Sequence, residues 1–230
     1  MSTTQVGHVL DNPAWYALNS YHAHFASGTD LVKTYPPEVM PVSALVDHSE
    51  AAFADLERVI KKGEITIVIG PNSPQIPGWT IQQTLIVNQM ICQQRFPQPE
   101  LNVDIVELNS SHISDIMQLL DAGAHLFFTP RAIEMGHFIG IRQQGQLVAM
   151  AGERFHLTGY CEISTVCTHP DWQGKGYARA LVSILGNEIF DQGEIPYLSV
   201  EPENVGAIRL YERLNFRKRG AMFAFVMGQT

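Results

Sequence analysis

Residues Ser164 to Leu181 read STVCTHPDWQGKGYARAL, and the fold is organised around this stretch. The β-branched, apolar run from Ile163 to Cys167 predicts a buried strand. Pro170 ends regular pairing, and the loop from Gln173 to Ala178 carries two glycines. The loop runs directly into a segment whose apolar residues recur with helical spacing, namely Ala178, Leu181, Val182, Leu185 and Ile189. The sequence therefore predicts a strand, a glycine-bearing loop and an amphipathic helix in direct succession.

Such a loop predicts an anion site. The first N–H groups of a helix have no intrahelical acceptor, and the helix dipole adds partial positive charge there. Gly174 and Gly176 permit positive φ and leave room for a ligand against the backbone. The loop lacks both G-x-x-x-x-G-K-[ST] and G-x-G-x-x-G, so neither a P-loop nor a dinucleotide fold is indicated. The expected ligand is a phosphate or pyrophosphate.

Two blocks of residues carry a family resemblance. Gln173-x-x-Gly176-x-Ala178, with Val166-x-x-His169-Pro170 before it, resembles the pyrophosphate-binding signature Q/R-x-x-G-x-G/A of the GNAT superfamily of CoA-dependent N-acyltransferases. Downstream, Asn204-x-x-Ala207-x-x-Leu210-Tyr211-x-x-x-Asn215-Phe216 resembles the second block of that family. Asn215 stands where the family has glycine, and asparagine is the next-best residue for the left-handed turn that closes a helix.

Composition is that of a globular protein. The chain has 230 residues, 45% of them hydrophobic, and a net charge of −8, which argues against a nucleic-acid partner. We find no signal peptide and no apolar run of membrane-spanning length. The three cysteines, Cys92, Cys161 and Cys167, show no ligand-like pairing. We therefore expect a cytoplasmic protein without a metal centre.

The predicted fold class is α/β, with a mixed sheet. The resemblance implies a GNAT domain over residues 100–230, and the order of predicted elements from Val103 onward agrees with it. Residues 1–99 predict an N-terminal α/β domain without a recognisable motif, which is expected to be a degenerate GNAT-like half, as in two-domain glycine N-acyltransferase-like proteins. The proline-rich segment from Arg95 to Glu100 is the predicted linker.

The resemblance also implies a set of acetyl-CoA contacts. The loop residues Gln173, Gly174, Lys175, Gly176, Tyr177 and Ala178 would hold the pyrophosphate. Val166, Cys167 and Thr168 would offer strand backbone to the pantetheine arm, where the family separates two parallel strands. Asn204 would contact CoA or cap its helix, and Ala207 belongs to the same block. Without the family, Val166 to Thr168 would be an ordinary buried strand.

Two residues are predicted to handle protons in the acyl transfer. Glu162 lies where several family members carry a strand glutamate, and an apolar strand would raise its pKa toward that of a general base. The alternative is a strand-end glutamate facing solvent. Tyr211 matches the tyrosine of the second block, which implies a general acid for the CoA thiolate. The alternative is one more apolar contact in a helical stripe.

The sequence thus predicts an enzyme that transfers an acetyl group from acetyl-CoA to a primary amine. The acceptor, the acyl-chain length and a homodimer are left open. Two alternatives remain: a CoA-binding sensor or pseudoenzyme without turnover, and a purely structural protein with a chance loop.

Overall fold

The structure is a computed structural model that describes residues 7–72, 78–99, 101, 103–123 and 128–229. Within these ranges the strands are β1 (Ser27–Gly28), β2 (Val32–Thr34), β3 (Val42–Leu45), β4 (Ile65–Gly70), β5 (Trp79–Ile91), β6 (Ile105–Leu108), β7 (Phe138–Gln143), β8 (Gln146–Leu157), β9 (Tyr160–Thr168), β10 (Ile195–Val200) and β11 (Arg217–Gln229). The helices are α1 (Pro13–Leu18), α2 (Glu50–Val59), α3 (Ile113–Ala122), α4 (Tyr177–Asp191) and α5 (Val205–Arg213). Short 3₁₀ helices cover Val9–Asp11, Ser110–His112, Pro130–Met135 and Pro170–Trp172.

One mixed sheet joins the strands in the order β1-β2-β3-β4-β11-β5-β10-β9-β8-β7-β6. The pairs β3–β4 and β9–β10 are parallel, and the remaining pairs are antiparallel. The predicted α/β class with a mixed sheet is confirmed. Strand β5 comes from the first half of the chain but lies between β10 and β11, so the sheet continues through both halves. The division at residues 99 and 100 stays a prediction. Residues 95–99 contain no helix or strand, and Glu100 lies outside the described residues.

Helix α4 packs on one face of the sheet as its periodicity predicts. Leu181, Val182, Leu185 and Ile189 are fully buried there, together with Cys161 and Ile163 of β9. Helix α1 packs on the opposite face, against Phe155 of β8 and Tyr197 of β10. Because successive strand residues point to opposite faces, Glu162 points away from α4.

The first helix is shorter than its sequence suggests. The sequence Asp11-Asn12-Pro13 predicts a helix start, and Asn12 does cap α1 through its side chain, with Pro13 at the first position. The sequence favours a helix to about Phe25, but α1 ends at Leu18. Asn19 Nδ2 donates to Trp15 O at 2.8 Å and Ser20 Oγ donates to Tyr16 O at 2.7 Å. Asn19 N still donates to Trp15 O, but Ser20 N donates to Ala17 O, so the Ser20 side chain replaces its own N–H at Tyr16 O and the α-helical pattern ends.

Gln144-Gly145 between two alternating segments predicts a hairpin turn, and Asn215 predicts a left-handed helix end; both predictions are confirmed. Gln144 and Gly145 both have positive φ between the paired residues Gln143 and Gln146, which makes a two-residue hairpin turn. Asn215 has φ of 64° after α5, so asparagine does adopt the left-handed turn. Every helix in the described ranges is too short or too polar to span a bilayer.

Candidate functional site

The parallel strands β9 and β10 separate halfway along their length. Their pairing runs from Tyr160 with Ile195 to Glu162 with Tyr197 and then stops. From Ile163 onward β9 pairs with β8 alone, and from Leu198 onward β10 pairs with β5 alone. A wedge with unshared backbone groups on its inner edges therefore opens directly before the glycine-bearing loop.

Strand β9 contains a β-bulge in the part that no longer pairs with β10. Thr165 and Val166 lie opposite the single residue Ala151 of β8, and Thr165 has φ of 52°. A β-branched residue rarely adopts positive φ, so the surrounding pairing must hold this conformation. The hydroxyl oxygen of Thr168, at the end of β9, is buried and has no hydrogen-bond partner in the described part of the chain. The predicted pantetheine contacts, Val166, Cys167 and Thr168, thus line the open part of the wedge.

The loop after β9 has the geometry of an anion site. Gly174 has φ of 77° and Gly176, which is the N-cap of α4, has φ of 81°. The space beside both glycines is open, since a Cβ at Gly174 would meet no atom within 4 Å and one at Gly176 only Leu101 Cδ1 at 3.9 Å. Among the described residues, no acceptor takes a hydrogen bond from the N–H groups of residues 174–179. These donors have no partner within the described part of the chain and are free for a ligand.

Side chains beside the loop add positive charge without filling it. Lys175 Nζ lies 4.0 Å from the centre of the Trp172 ring, and Trp172 stacks on Tyr177. Lys175 and the neighbouring Arg179 are both exposed. Gln173 Nε2 donates to Thr168 O at 3.4 Å, which ties the start of the loop to the end of β9. The loop and the wedge therefore form one continuous surface.

Glu162 lies at the apex of the wedge as part of a buried polar network. Its carboxylate is 1% exposed and accepts two hydrogen bonds from Arg154, each of 2.8 Å. Ser199 Oγ donates to the same carboxylate at 2.8 Å. A bidentate guanidinium stabilises the negative charge and fixes the orientation of the carboxylate. Glu162 is therefore an interior strand residue with three donors, and the alternative of a strand-end glutamate facing solvent is wrong.

The first half of the chain contributes groups next to this network. Burial, followed by the negative charge of Glu162, raises the pKa of Tyr35 and of Tyr197 well above the usual value. Tyr35 Oη lies 2.9 Å from His22 Nδ1, and His22 Nε2 lies 2.9 Å from the Met135 carbonyl oxygen. Because that carbonyl only accepts, Nε2 carries the proton and Nδ1 accepts from Tyr35. Burial lowers the pKa of His22 to about 4, so it is neutral.

Sequence reasoning missed Arg154, Ser199, His22 and Tyr35 as parts of the site. A second bulge places Arg154 and Phe155 opposite Glu162, which puts the guanidinium beside the carboxylate. The β8–β9 hairpin around Gly159 was the one available signal, since it brings residues eight apart close together. Nothing in the local sequence marks His22 or Tyr35, because their neighbours are distant along the chain.

Tyr211 and Asn204 lie on the helix of the second block. Tyr211 is 7% exposed, packs edge-on against Phe216, and has its pKa raised to about 12 by burial. Its hydroxyl has no hydrogen-bond partner among the residues described. Asn204 Oδ1 accepts from Ala207 N at 3.1 Å, which confirms the predicted helix cap. A contact of Asn204 or Ala207 with CoA stays a prediction.

Comparisons with known proteins agree with this geometry. A family model described as FR47-like protein matches residues 138–224. N-alpha-acetyltransferase RimI of Mycobacterium tuberculosis is 34% identical over 87 residues, which are 36% of this chain and 54% of the relative, so the match spans about half of that relative.

Solved structures extend the likeness to nearly the whole chain. An acetyltransferase from the GNAT family of Novosphingobium aromaticivorans is 29% identical, with a TM-score of 0.87 over 97% of this chain and 100% of the other. A GCN5-related N-acetyltransferase from Kribbella flavida shares the fold, with 16% identity and a TM-score of 0.64 over 94% and 93% of the two chains. These similarities confirm the predicted resemblance to the GNAT superfamily.

Proposed function

We propose that the protein transfers an acetyl group from acetyl-CoA to a primary amine. The observation that carries this proposal is the wedge between β9 and β10, which opens beside a loop of unpartnered N–H donors. An extended pantetheine arm can replace the missing strand partner, while a pyrophosphate accepts from the helix start. The likeness to GNAT acetyltransferases supports the same assignment.

The proposed CoA contacts follow the surface from loop to wedge. The backbone from Gln173 through Gly174, Lys175, Gly176 and Tyr177 to Ala178 would donate to the phosphate oxygens. Lys175 would add a flexible positive charge close to them. The backbone of Val166, Cys167 and Thr168 would pair with the pantetheine amides, and the Thr168 hydroxyl would gain the partner it lacks. Asn204 and Ala207 would border the thioester end.

The proposed chemistry forms a C–N bond and breaks the C–S bond of the thioester. Glu162, directly or through a water molecule, would accept the proton that the amine loses as it attacks the carbonyl carbon. Backbone N–H groups in the wedge would stabilise the charge on the carbonyl oxygen. Tyr211, which burial keeps protonated, would give its proton to the departing sulfur. The protein then regains its starting state when a proton passes from Glu162 to Tyr211 through solvent.

The acceptor would bind between the two halves of the chain, opposite the thioester. Glu162 points to the face that carries α1, where the buried side chains of His22 and Tyr35 lie near it. The net charge of −8 suits a cationic amine. Because one relative is an N-alpha-acetyltransferase, peptides with a free N-terminus belong in the panel of acceptors beside amino acids, polyamines and amino-sugar antibiotics.

Release of free thiol from acetyl-CoA across this amine panel tests the proposal. We expect turnover with at least one class of amine, and its loss in Glu162→Gln and Tyr211→Phe while CoA still binds. The exposed pair Glu134→Gln and Tyr16→Phe gives matched controls that should keep full turnover. Tight CoA binding without turnover for any amine would favour the sensor instead. Absence of CoA binding would reject both the enzyme and the sensor.

We also propose that the protein is cytoplasmic. Cys92, Cys161 and Cys167 are all buried and free, which suits the reducing cytoplasm. We propose action on a small amine rather than on nucleic acid or at a membrane. Whether the protein acts as a monomer or a homodimer can be read from light scattering of the purified chain.

A further inference from the structure

A cluster of metal-ligating side chains lies on the α4 face of the sheet. Glu153 and His156 of β8 and Cys161 of β9 bring one ligand atom each within 4.8 Å of one another. His156 and Cys161 are direct partners across the β8–β9 hairpin. The cluster lies beside the end of α4, where His137 Nδ1 is 3.1 Å from Glu188 Oε2. A helix of 15 residues is roughly 22 Å long, so the cluster is remote from the glycine loop at the other end of α4.

One oxygen of the cluster has no partner. Glu153 is 5% exposed, and its Oε2 accepts from His137 N at 3.0 Å. The other oxygen, Oε1, is buried and receives no hydrogen bond from the described residues. A buried carboxylate oxygen without a partner destabilises the folded state. A group that offers positive charge at this oxygen would remove that destabilisation.

Negative charge also accumulates around the cluster. Glu194, which is 5% exposed, forms a short hydrogen bond with His156 Nε2. No lysine or arginine forms an ion pair with Glu153 or Glu194 in the described part of the chain. Burial first, then the charges of Glu153, Glu194 and Glu162, and last a hydrogen bond with Glu153, raise the pKa of the Cys161 thiol well above its usual value. The site is rich in acceptors and short of cations.

We propose that Glu153, His156 and Cys161 bind a divalent transition-metal ion, with Zn²⁺ as the best fit. One thiolate, one imidazole and one carboxylate form a ligand set that favours zinc over magnesium or calcium. Ligand atoms on tetrahedral zinc lie about 3.3 to 3.6 Å apart, so shifts of roughly 1 Å would close the site. On binding, the thiol proton would leave to solvent.

The surrounding residues fit an outer shell. Because Glu194 engages Nε2 of His156, Nδ1 remains as the nitrogen for the metal, and the carboxylate fixes the ring orientation. The Tyr21 ring stacks on His156 with 3.8 Å between ring centres, and Tyr21 also hydrogen-bonds Glu194. The fourth position would take a water molecule. Such a metal would tie the β8–β9 hairpin to the segment after α4 and would take no part in acyl transfer.

Zinc titration of the full chain, first stripped with a chelator, tests the proposal. We expect one zinc ion per chain and a rise in melting temperature with zinc. Cys161→Ser and Glu153→Gln should weaken zinc binding, and Cys161→Ser by more than the roughly 10- to 100-fold expected for Glu194→Gln in the outer shell. Cys92→Ser is the matched control, because Cys92 is equally buried but lies outside the cluster, with its Sγ 3.2 Å from Gln94 O and 3.4 Å from Leu214 O. It should bind zinc as the parent does.

Cobalt(II) binding can be measured on the parent chain, without substituting any residue of the cluster. Cobalt in this site should show a thiolate charge-transfer band, in the parent chain and in Cys92→Ser alike. Absence of stoichiometric zinc binding, or of that band, would overturn the proposal. Zinc binding that survives in folded Cys161→Ser and Glu153→Gln, as checked by circular dichroism, would overturn it as well.

Discussion

Glu162 and Tyr197 are the last residues that pair between β9 and β10, and the strands separate directly after them. The buried carboxylate of Glu162 therefore lies where sheet pairing ends and the proposed ligand site begins. Arg154 and Ser199 fix it there, one from each neighbouring strand.

Gly176→Ala should weaken acetyl-CoA binding, and Gly193→Ala should not. Both glycines have φ of 81° and flank α4, with no atom within 3.8 Å of an added Cβ at either. Alanine in this conformation costs about 1 kcal/mol in either variant. A hydrogen bond to a charged phosphate is worth about 1.5–3 kcal/mol, so KM for acetyl-CoA should rise roughly tenfold or more in Gly176→Ala alone. Equal KM values in the two variants would argue against the loop as the phosphate site.

Glu162→Gln should lower kcat by roughly 10²- to 10⁴-fold, as expected for a lost general base. It should also lower the free energy of unfolding by a few kcal/mol, since Arg154 loses its counter-charge. Arg154→Gln separates the two effects, because it breaks the same ion pair and keeps the carboxylate. Steady-state kinetics at a temperature where both variants are folded make the comparison. Similar kcat in both variants would make Glu162 a structural residue.

Tyr211→Phe should lower kcat at least tenfold with little change in melting temperature. The phenol ring packs in the core, but its hydroxyl has no partner among the described residues, so removing it sacrifices no internal hydrogen bond. With a pKa of about 12, Tyr211 stays protonated at working pH, and it should cause no fall in kcat on the alkaline side up to about pH 10. Unchanged kcat in Tyr211→Phe would leave the residue as an apolar contact.

Asn215→Gly should stabilise the protein by about 0.5–1 kcal/mol without changing activity. Asn215 adopts φ of 64° at the end of α5, where glycine carries no steric penalty. Thermal unfolding measures the change. A loss of stability would show that the asparagine side chain makes a contribution beyond its backbone conformation.

Stability should fall as the pH drops from about 6.5 to about 4 because of His22. Its folded pKa of about 4 lies below the unfolded value of 6.5, so the unfolded chain binds the proton first. Above pH 6.5 the His22 imidazole is neutral in both the folded and the unfolded state, so it does not reduce the free energy of unfolding. Below pH 4 the full reduction is reached, on the order of 3 kcal/mol. Urea unfolding at several pH values in this range gives the free energy of unfolding as a function of pH. That free energy should change less with pH in His22→Gln than in the exposed control His48→Gln. The same pH dependence in both variants would count against the burial of neutral His22.

Local patterns were enough to predict much of the molecule. The spacing of Leu181, Leu185 and Ile189 fixes the buried face of α4, because helical geometry depends only on neighbours along the chain. Gly174, Gly176 and Asn215 mark the positive-φ positions, since few residue types tolerate them. The sequence alone thus predicts the glycine-bearing loop, the buried face of α4 and the family resemblance.

Tertiary structure alone decided which distant groups meet. The first half of the chain supplies β5, which pairs between β10 and β11, and no local property of Trp79 to Ile91 names those partners. Bulges in β8 and β9 set Arg154 against Glu162 and gather Glu153, His156 and Cys161, while a single shift in register would separate them. The sequence by itself determined the elements and the loop, because these depend on short-range sterics and periodicity. The acid–base network and the metal-ligating cluster depend on strand pairing between remote segments, which packing of the whole sheet selects.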